Sequence, residues 1–322
     1  MLKKIKMIYG IILSLLFTVS GVCADPIKIA IANYGPHPTL QETIQGLKDG
    51  LTKAGYPEGT AVIYDISDVN FDATLIPQML SKLVADKPRL IVALSTPVAQ
   101  AAKYKIKDIP IVFSAITDPV QAKLLKNKLQ GIDNLSGASD QPDLIAFLQF
   151  SKTLLPQAKT IGLLYSSSED NDHALVEMMA AAAKAANMTV MALPIDNPED
   201  IPLRTQQFKD KVDLIYVGTS GLIQPSLPAI VAVADSLKIP VFSADESAAK
   251  NDEVFGSFAV SYHQVGLNTA DIVVRILKGE KPADITPIYP SFSNHQGLVS
   301  RKKAEQLGIF LPSRSKNITT SN

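Results

Sequence analysis

Apolar positions along the chain follow two alternating rhythms. The run Ile27-Lys28-Ile29-Ala30-Ile31-Ala32, closed by Asn33-Tyr34-Gly35-Pro36, predicts a buried strand and a turn. Leu40, Ile44, Leu47 and Leu51 then mark one face of a helix over 39–54, stopped at Gly55. Further strands are predicted at 61–65, 90–94 and 109–114, with helices at 75–84 and from 96. The rhythm restarts at Thr160: strands at 160–165, 189–193, 214–218 and 239–243 alternate with helices at 173–186 and 201–209.

The two halves also match locally. Leu90-Ile91 leads through Ser95-Thr96 to Ile109-Pro110-Ile111-Val112-Phe113-Ser114-Ala115. Leu214-Ile215 leads through Thr219-Ser220 to Ile239-Pro240-Val241-Phe242-Ser243-Ala244. Such alternation implies an α/β fold of two parallel-sheet, Rossmann-like lobes joined by a hinge. Sites in such sheets lie beyond the carboxyl ends of the strands, so two facing lobes would share one cleft. The expected division is 25–118 plus about 246–282 for lobe 1, and 119–245 plus about 283–311 for lobe 2. A helix is predicted at 265–277, an extended stretch at 285–292, a short helix at 301–307 and a polar, flexible tail at 312–322.

The first 24 residues break this pattern. Lys3, Lys4 and Lys6 precede an apolar stretch over 8–19, and Val22-Cys23-Ala24 supplies small residues before Asp25. That is the layout of a signal peptide, shorter than a membrane span. A retained membrane helix and a lipid on Cys23 are the alternatives. Against the lipid, Val22 and Ser20 stand where a lipoprotein signal has a small residue and Leu. A periplasmic chain without a lipid anchor is expected.

Removing the leader changes the charge reading. The 322 residues carry 31 Lys+Arg and 31 Asp+Glu, a formal net charge of zero. The leader takes three lysines and no acid, so the remainder is mildly acidic, and it takes the single cysteine. No disulfide framework and no nucleic-acid partner are expected. A hydrophobic fraction of 46% supports a globular core without staples.

No enzyme motif occurs: there is no G-x-S-x-G, H-E-x-x-H, P-loop or G-x-G-x-x-G. His37, His173, His263 and His295 show no metal-ligand spacing, so no catalytic residue, cofactor or metal is expected. The predicted strand ends carry hydroxyls, carboxylates and Tyr instead. Tyr34 and His37 follow the first strand. Ser95 and Thr96 precede Pro97 at a helix start, where they either cap the helix or offer its free amides and their hydroxyls to an anionic group. Thr219 and Ser220 are their counterparts. Thr117 and Asp118 end the fourth strand; Asp118 either forms a turn before Pro119 or faces a ligand ammonium. Asp245 and Glu246 take the equivalent place in the second half. Ser166, Ser167, Glu169 and Asn171 follow its first strand, as helix caps or cleft residues.

These stretches resemble the ABC-transporter substrate-binding protein family whose characterised members include tryptophan- and tyrosine-binding lipoproteins. The resemblance spans about residues 27–312. It rests on His37-Pro38, Leu94-Ser95-Thr96-Pro97-Val98-Ala99-Gln100-Ala101, Ile109–Pro119, Ile161–Tyr165 with Glu169 and Asn171, Ile239-Pro240-Val241-Phe242 and Ser261–Gly266. It implies the type I periplasmic-binding-protein fold, with three crossovers and a ligand between the lobes. It also implies delivery to a permease in the inner membrane driven by a cytoplasmic ATPase. By position, Ser95, Thr96, Thr117 and Asp118 would line lobe 1's share of the cleft, and Ser166, Ser167, Glu169 and Asn171 lobe 2's. The chain departs from common family patterns at Gly218-Thr219-Ser220-Gly221, Ala259-Val260-Ser261-Tyr262 and Asp68-Val69-Asn70-Phe71-Asp72, where many members have Asn-Ala-x-Gly-Asp.

The expectation is a non-enzymatic, monomeric receptor for a small, amino-acid-like solute feeding an ABC importer. Ser95 and Thr96 would take a carboxylate, and Asp118 or Glu169 an ammonium. Tyr34, Tyr165 and Tyr262 would offer stacking surface to an aromatic ligand. A periplasmic sensor presenting solute to a signalling receptor is the alternative, and an exported hydrolase using His37 the third reading.

Overall fold

The computed structural model describes residues 25–311 and 319–321. The leader, Cys23 and most of the expected tail lie outside them. The first sheet comprises β1 (Ile27–Asn33), β2 (Val62–Asp68), β3 (Leu90–Leu94), β4 (Ile111–Ile116) and β5 (Leu135–Ser139), in the order β2-β1-β3-β4-β5 and wholly parallel. Between its strands run α1 (Pro38–Lys53), α2 (Ile76–Ala85) and α3 (Thr96–Lys105). Parallel strands covered on both faces read as continuous apolar runs. Accordingly β3 and β4 are buried at every position.

The chain then crosses over through α4 (Leu144–Leu154). The second lobe contains β6 (Thr160–Ser166), α5 (Asp170–Ala185), β7 (Thr189–Ile195), α6 (Ile201–Gln206), β8 (Leu214–Val217), α7 (Leu227–Leu237), β9 (Val241–Ser243), α8 (Glu246–Lys250) and β10 (Gly256–Val260). After a second crossing, α9 (Tyr262–Leu277) returns to lobe 1 and packs on α1, β4 and β5. The approach is close: a Cβ on Gly46 would stand 2.1 Å from the carbonyl oxygen of His263. The chain finally recrosses to β11 (His295–Ser300), α10 (Arg301–Leu307) and β12 (Thr319–Ser321). The second sheet reads β12-β11-β10-β9-β8-β6-β7. Only β10 and β11 pair antiparallel within it among the described residues.

This sheet membership differs from the expected division in three places. Residues 135–139 belong to lobe 1, because β5 pairs with the free edge of β4. Residues 246–260 belong to lobe 2, because β10 continues the sheet beside β9. The stretch after α9 stays on lobe 1 past 283: Ile285 O accepts from Gly131 N–H and Ser136 Oγ, and Ile288 bridges to Ala138. In the expected tail, Thr319–Ser321 is paired parallel to β11.

Candidate functional site

The carboxyl ends of both sheets face one cavity, where sites in parallel α/β sheets lie. Each wall is the segment that follows a strand. Tyr34, His37, Thr39 and Leu40 come after β1, Phe71 after β2, and Ser95, Thr96 and Pro97 after β3. Ala115 and Thr117 come from β4 and its exit, and Asp140 follows β5. Lobe 2 supplies Glu169 and Asn171 after β6, and Thr219, Ser220, Gly221 and Gln224 after β8; Tyr262 begins α9.

At the β3 exit the backbone is strained. Ser95 sits at φ 73° and ψ 158°, and its side chain makes no capping bond to α3. Its Oγ is buried without a hydrogen-bond partner. A non-glycine residue at positive φ costs on the order of 1–3 kcal/mol and persists where its surroundings impose it. The capping alternative for Ser95 is therefore set aside. The first turn of α3 holds no acidic residue, so the positive dipole end of this helix, whose Thr96 and Pro97 line the cavity, is uncompensated.

Buried carboxyls also line the cavity. Asp140 is fully buried, and desolvation raises its carboxyl to about 6. Its Oδ2 accepts from the Tyr262 hydroxyl at 3.1 Å, while Oδ1 is buried without a partner. Glu169 Oε2 accepts from Gly221 N–H at 3.0 Å and from Asn171 Nδ2 at 3.3 Å. Burial nonetheless raises the Glu169 carboxyl. Asp172, behind Asn171, is raised by burial and then by the Glu169 charge. Asn171 Nδ2 also donates to Thr219 O at 3.1 Å, leaving Asn171 Oδ1 buried and unpartnered. Gln224 Nε2 is a buried donor in the same condition. Among the described residues no lysine or arginine lines the cavity. Burial lowers the His37 pKa against the opposing pull of Asp245, 4.0 Å away. The His37 ring also caps α1, accepting from Thr39 N–H at 3.3 Å.

Of the residues singled out from the sequence, Tyr34, His37, Ser95, Thr96, Thr117, Glu169, Asn171, Thr219, Ser220 and Tyr262 line this cavity. The others do not. Asp118 Oδ1 accepts from Val120 and Gln121 N–H at 2.9 and 3.1 Å, which is the turn alternative. The backbone N–H of the buried Ser166 donates to Asp172, and its hydroxyl pairs with Ser168. Ser167 bonds Asp196. Asp245 caps α8 through Ser247 N–H at 2.9 Å, and Glu246 pairs with Lys250 one turn on. Tyr165 packs edge-on against His173, outside the cavity. Asp140 and Gln224 were not anticipated, and Gly221 and Phe71 only as parts of unusual stretches.

Among the described residues, no group of three or more His, Cys, Asp or Glu is placed to hold a metal ion. No helix there is long and apolar enough to cross a membrane.

Residues 28–320 match the family described as ABC transporter substrate binding protein. A tyrosine-binding protein of Clostridioides difficile is 33% identical over 258 residues, 80% of this chain and 74% of that protein. A Streptococcus pneumoniae ABC domain solved in complex with L-Trp superposes with a TM-score of 0.85 at 31% identity, covering 91% of this chain and 100% of that one. A ligand-free, open substrate-binding protein with adhesive properties from Clostridium difficile superposes at 0.71, also at 31% identity, covering 91% and 98%.

Proposed function

Because the chain belongs to the ABC transporter substrate-binding protein family, we propose that its cleft binds a free aromatic amino acid in zwitterionic form. The mature chain would act as a periplasmic monomer, handing the ligand to a permease in the inner membrane driven by a cytoplasmic ATPase. The observation that carries this reading is the arrangement of buried polar atoms without partners. The acceptors Asp140 Oδ1 and Asn171 Oδ1 and the donors offered by the Ser95 hydroxyl and the Gln224 amide belong to residues that all line the cavity. Buried polar groups are nearly always satisfied, so the cavity calls for a guest that brings both donors, for the Asp140 carboxylate above all, and acceptors. An α-amino acid meets both needs, and Tyr34 offers an aromatic surface beside them.

Asp140 takes the ammonium role that the sequence assigned to Asp118 or Glu169. Charge-assisted bonds contribute about 1.5–3 kcal/mol each. A few acting together reach the roughly 8 kcal/mol of a micromolar complex. Support for closure around the ligand comes from the two solved relatives. At equal identity and coverage of this chain, it superposes more closely on the L-Trp complex than on the ligand-free, open protein. Ligand contact with both lobes favours the closed population. His37–Asp245 and the 2.7 Å bond from Gln100 Nε2 to Asp170 Oδ2 also cross the gap.

Thermal unfolding against a panel of amino acids and sugars tests the reading. Stabilisation by L-Tyr, L-Phe or L-Trp at millimolar concentration is expected, with none from aliphatic residues or sugars. Stabilisation by a sugar alone overturns it.

A further inference from the structure

The loop after β2 holds two successive residues in the left-handed region, Asn70 at φ 49° and Phe71 at φ 64°. For a bulky aromatic residue that conformation is unfavourable, and such strain persists where neighbouring contacts over-determine it. Those contacts are present. Phe71 N–H donates to Tyr34 O at 2.8 Å, and Asp68 Oδ1 accepts from Asn70 N–H at 3.0 Å. The Phe71 ring meets the Tyr34 ring edge-on, with centroids 5.6 Å apart at 85°. It lies over Gly35 so closely that a Cβ there would stand 2.6 Å from it. The Tyr34 ring also lies close to the backbone of Gly221, where a Cβ would come within 2.3 Å of it.

The half-buried Phe71 ring is therefore held against Tyr34, and both line the cavity. Glycine, which takes φ near 64° without cost, would leave that space open. We propose that Phe71 is a specificity-determining residue. Together with Tyr34 it narrows the cavity to a single six-membered ring, phenol or phenyl, and disfavours the two-ring indole. This rests on the reading of the ligand as an aromatic amino acid and adds which members of that class fit.

Calorimetric titration of the wild-type chain and of Phe71→Gly with L-Tyr, L-Phe and L-Trp tests it. The wild type is expected to prefer L-Tyr or L-Phe over L-Trp by about tenfold or more, the scale on which apolar pockets discriminate by size. Phe71→Gly releases the strained backbone, so its thermal midpoint should hold. Its preference should collapse to within about threefold or turn toward L-Trp. Phe71→Asn, which tolerates left-handed φ, reads the same ratio if the glycine variant folds poorly. A wild type that prefers L-Trp, or a ratio unchanged in the folded variants, overturns the assignment while leaving the aromatic reading standing. A wild type that binds none of the three overturns both.

Discussion

Tyr262 and Asp140 meet where the returning helix α9 passes the end of β5. The phenol donates to Asp140 Oδ2 at 3.1 Å, and the other oxygen of the same buried carboxyl has no partner. Tyr262→Phe removes the donor and keeps the ring. Leaving a buried acceptor unsatisfied costs about 1–3 kcal/mol, so urea unfolding should show a loss on that scale. Ligand affinity should fall with it, since Asp140 is no longer held toward the cavity. Unchanged stability and affinity would remove this pair from the account.

The same carboxyl makes binding depend on pH. Its folded-state value, about 6, lies above the ordinary 3.8 through desolvation. Between those values the folded chain holds a proton that the unfolded chain has lost, so this group favours the folded state increasingly as pH falls from about 6 toward 4. Recognition of an ammonium needs the carboxylate, so affinity should move the other way, weakening as pH drops below about 6. Calorimetry from pH 8 to pH 5 checks the slope. Asp140→Asn should bind weakly and lose the share of the slope that the Asp140 carboxyl sets.

Ser95 separates function from stability. Its hydroxyl is buried, unpartnered and on a strained residue. Ser95→Ala therefore removes an orphaned polar group, a change near neutral for the fold. The expected outcome is a folding midpoint within about 0.5 kcal/mol of wild type and an affinity loss of about tenfold or more. Equal affinity in the two proteins would take Ser95 out of the site.

Gly221 sits where the lobes meet. A Cβ there would stand 2.3 Å from the Tyr34 ring and 3.1 Å from Glu169 Oε1. Gly221→Ala should fold, because the clash spans the gap between lobes, yet resist closing. Small-angle scattering should show ligand-induced compaction in the wild type and little in the variant at saturating ligand. Equal compaction would mean that Tyr34 yields.

The strands carrying most of this site were legible because buried parallel strands are apolar runs. Ile91–Leu94 and Ile111–Phe113 predicted where Ser95, Thr96 and Thr117 stand. β5 was not legible. Leu135-Ser136-Gly137-Ala138-Ser139 has one large apolar residue, and two of its residues are serines whose hydroxyls bond to Ile285 O and Ile116 O. Missing that strand hid Asp140 and misplaced the first crossing between lobes. Asp118 drew attention by its place after a strand, but its Oδ1 serves the turn at Pro119 and its Oδ2 accepts from Gln141 Nε2. Chain position alone does not tell a carboxylate that ends a strand from one that faces a ligand. Gln224 and Gly221 lie in the short segment after β8, whose path depends on contacts with Glu169 across the lobe.

The most direct test of zwitterion recognition is calorimetry on ligand-stripped protein with L-tyrosine, tyramine and 3-(4-hydroxyphenyl)propionate. These share one ring and differ in which charges they carry. One-to-one binding of L-tyrosine at about micromolar affinity or tighter is expected, with each single-charge analogue weaker by about a hundredfold. Binding of tyramine or the propionate as tight as that of L-tyrosine would contradict it.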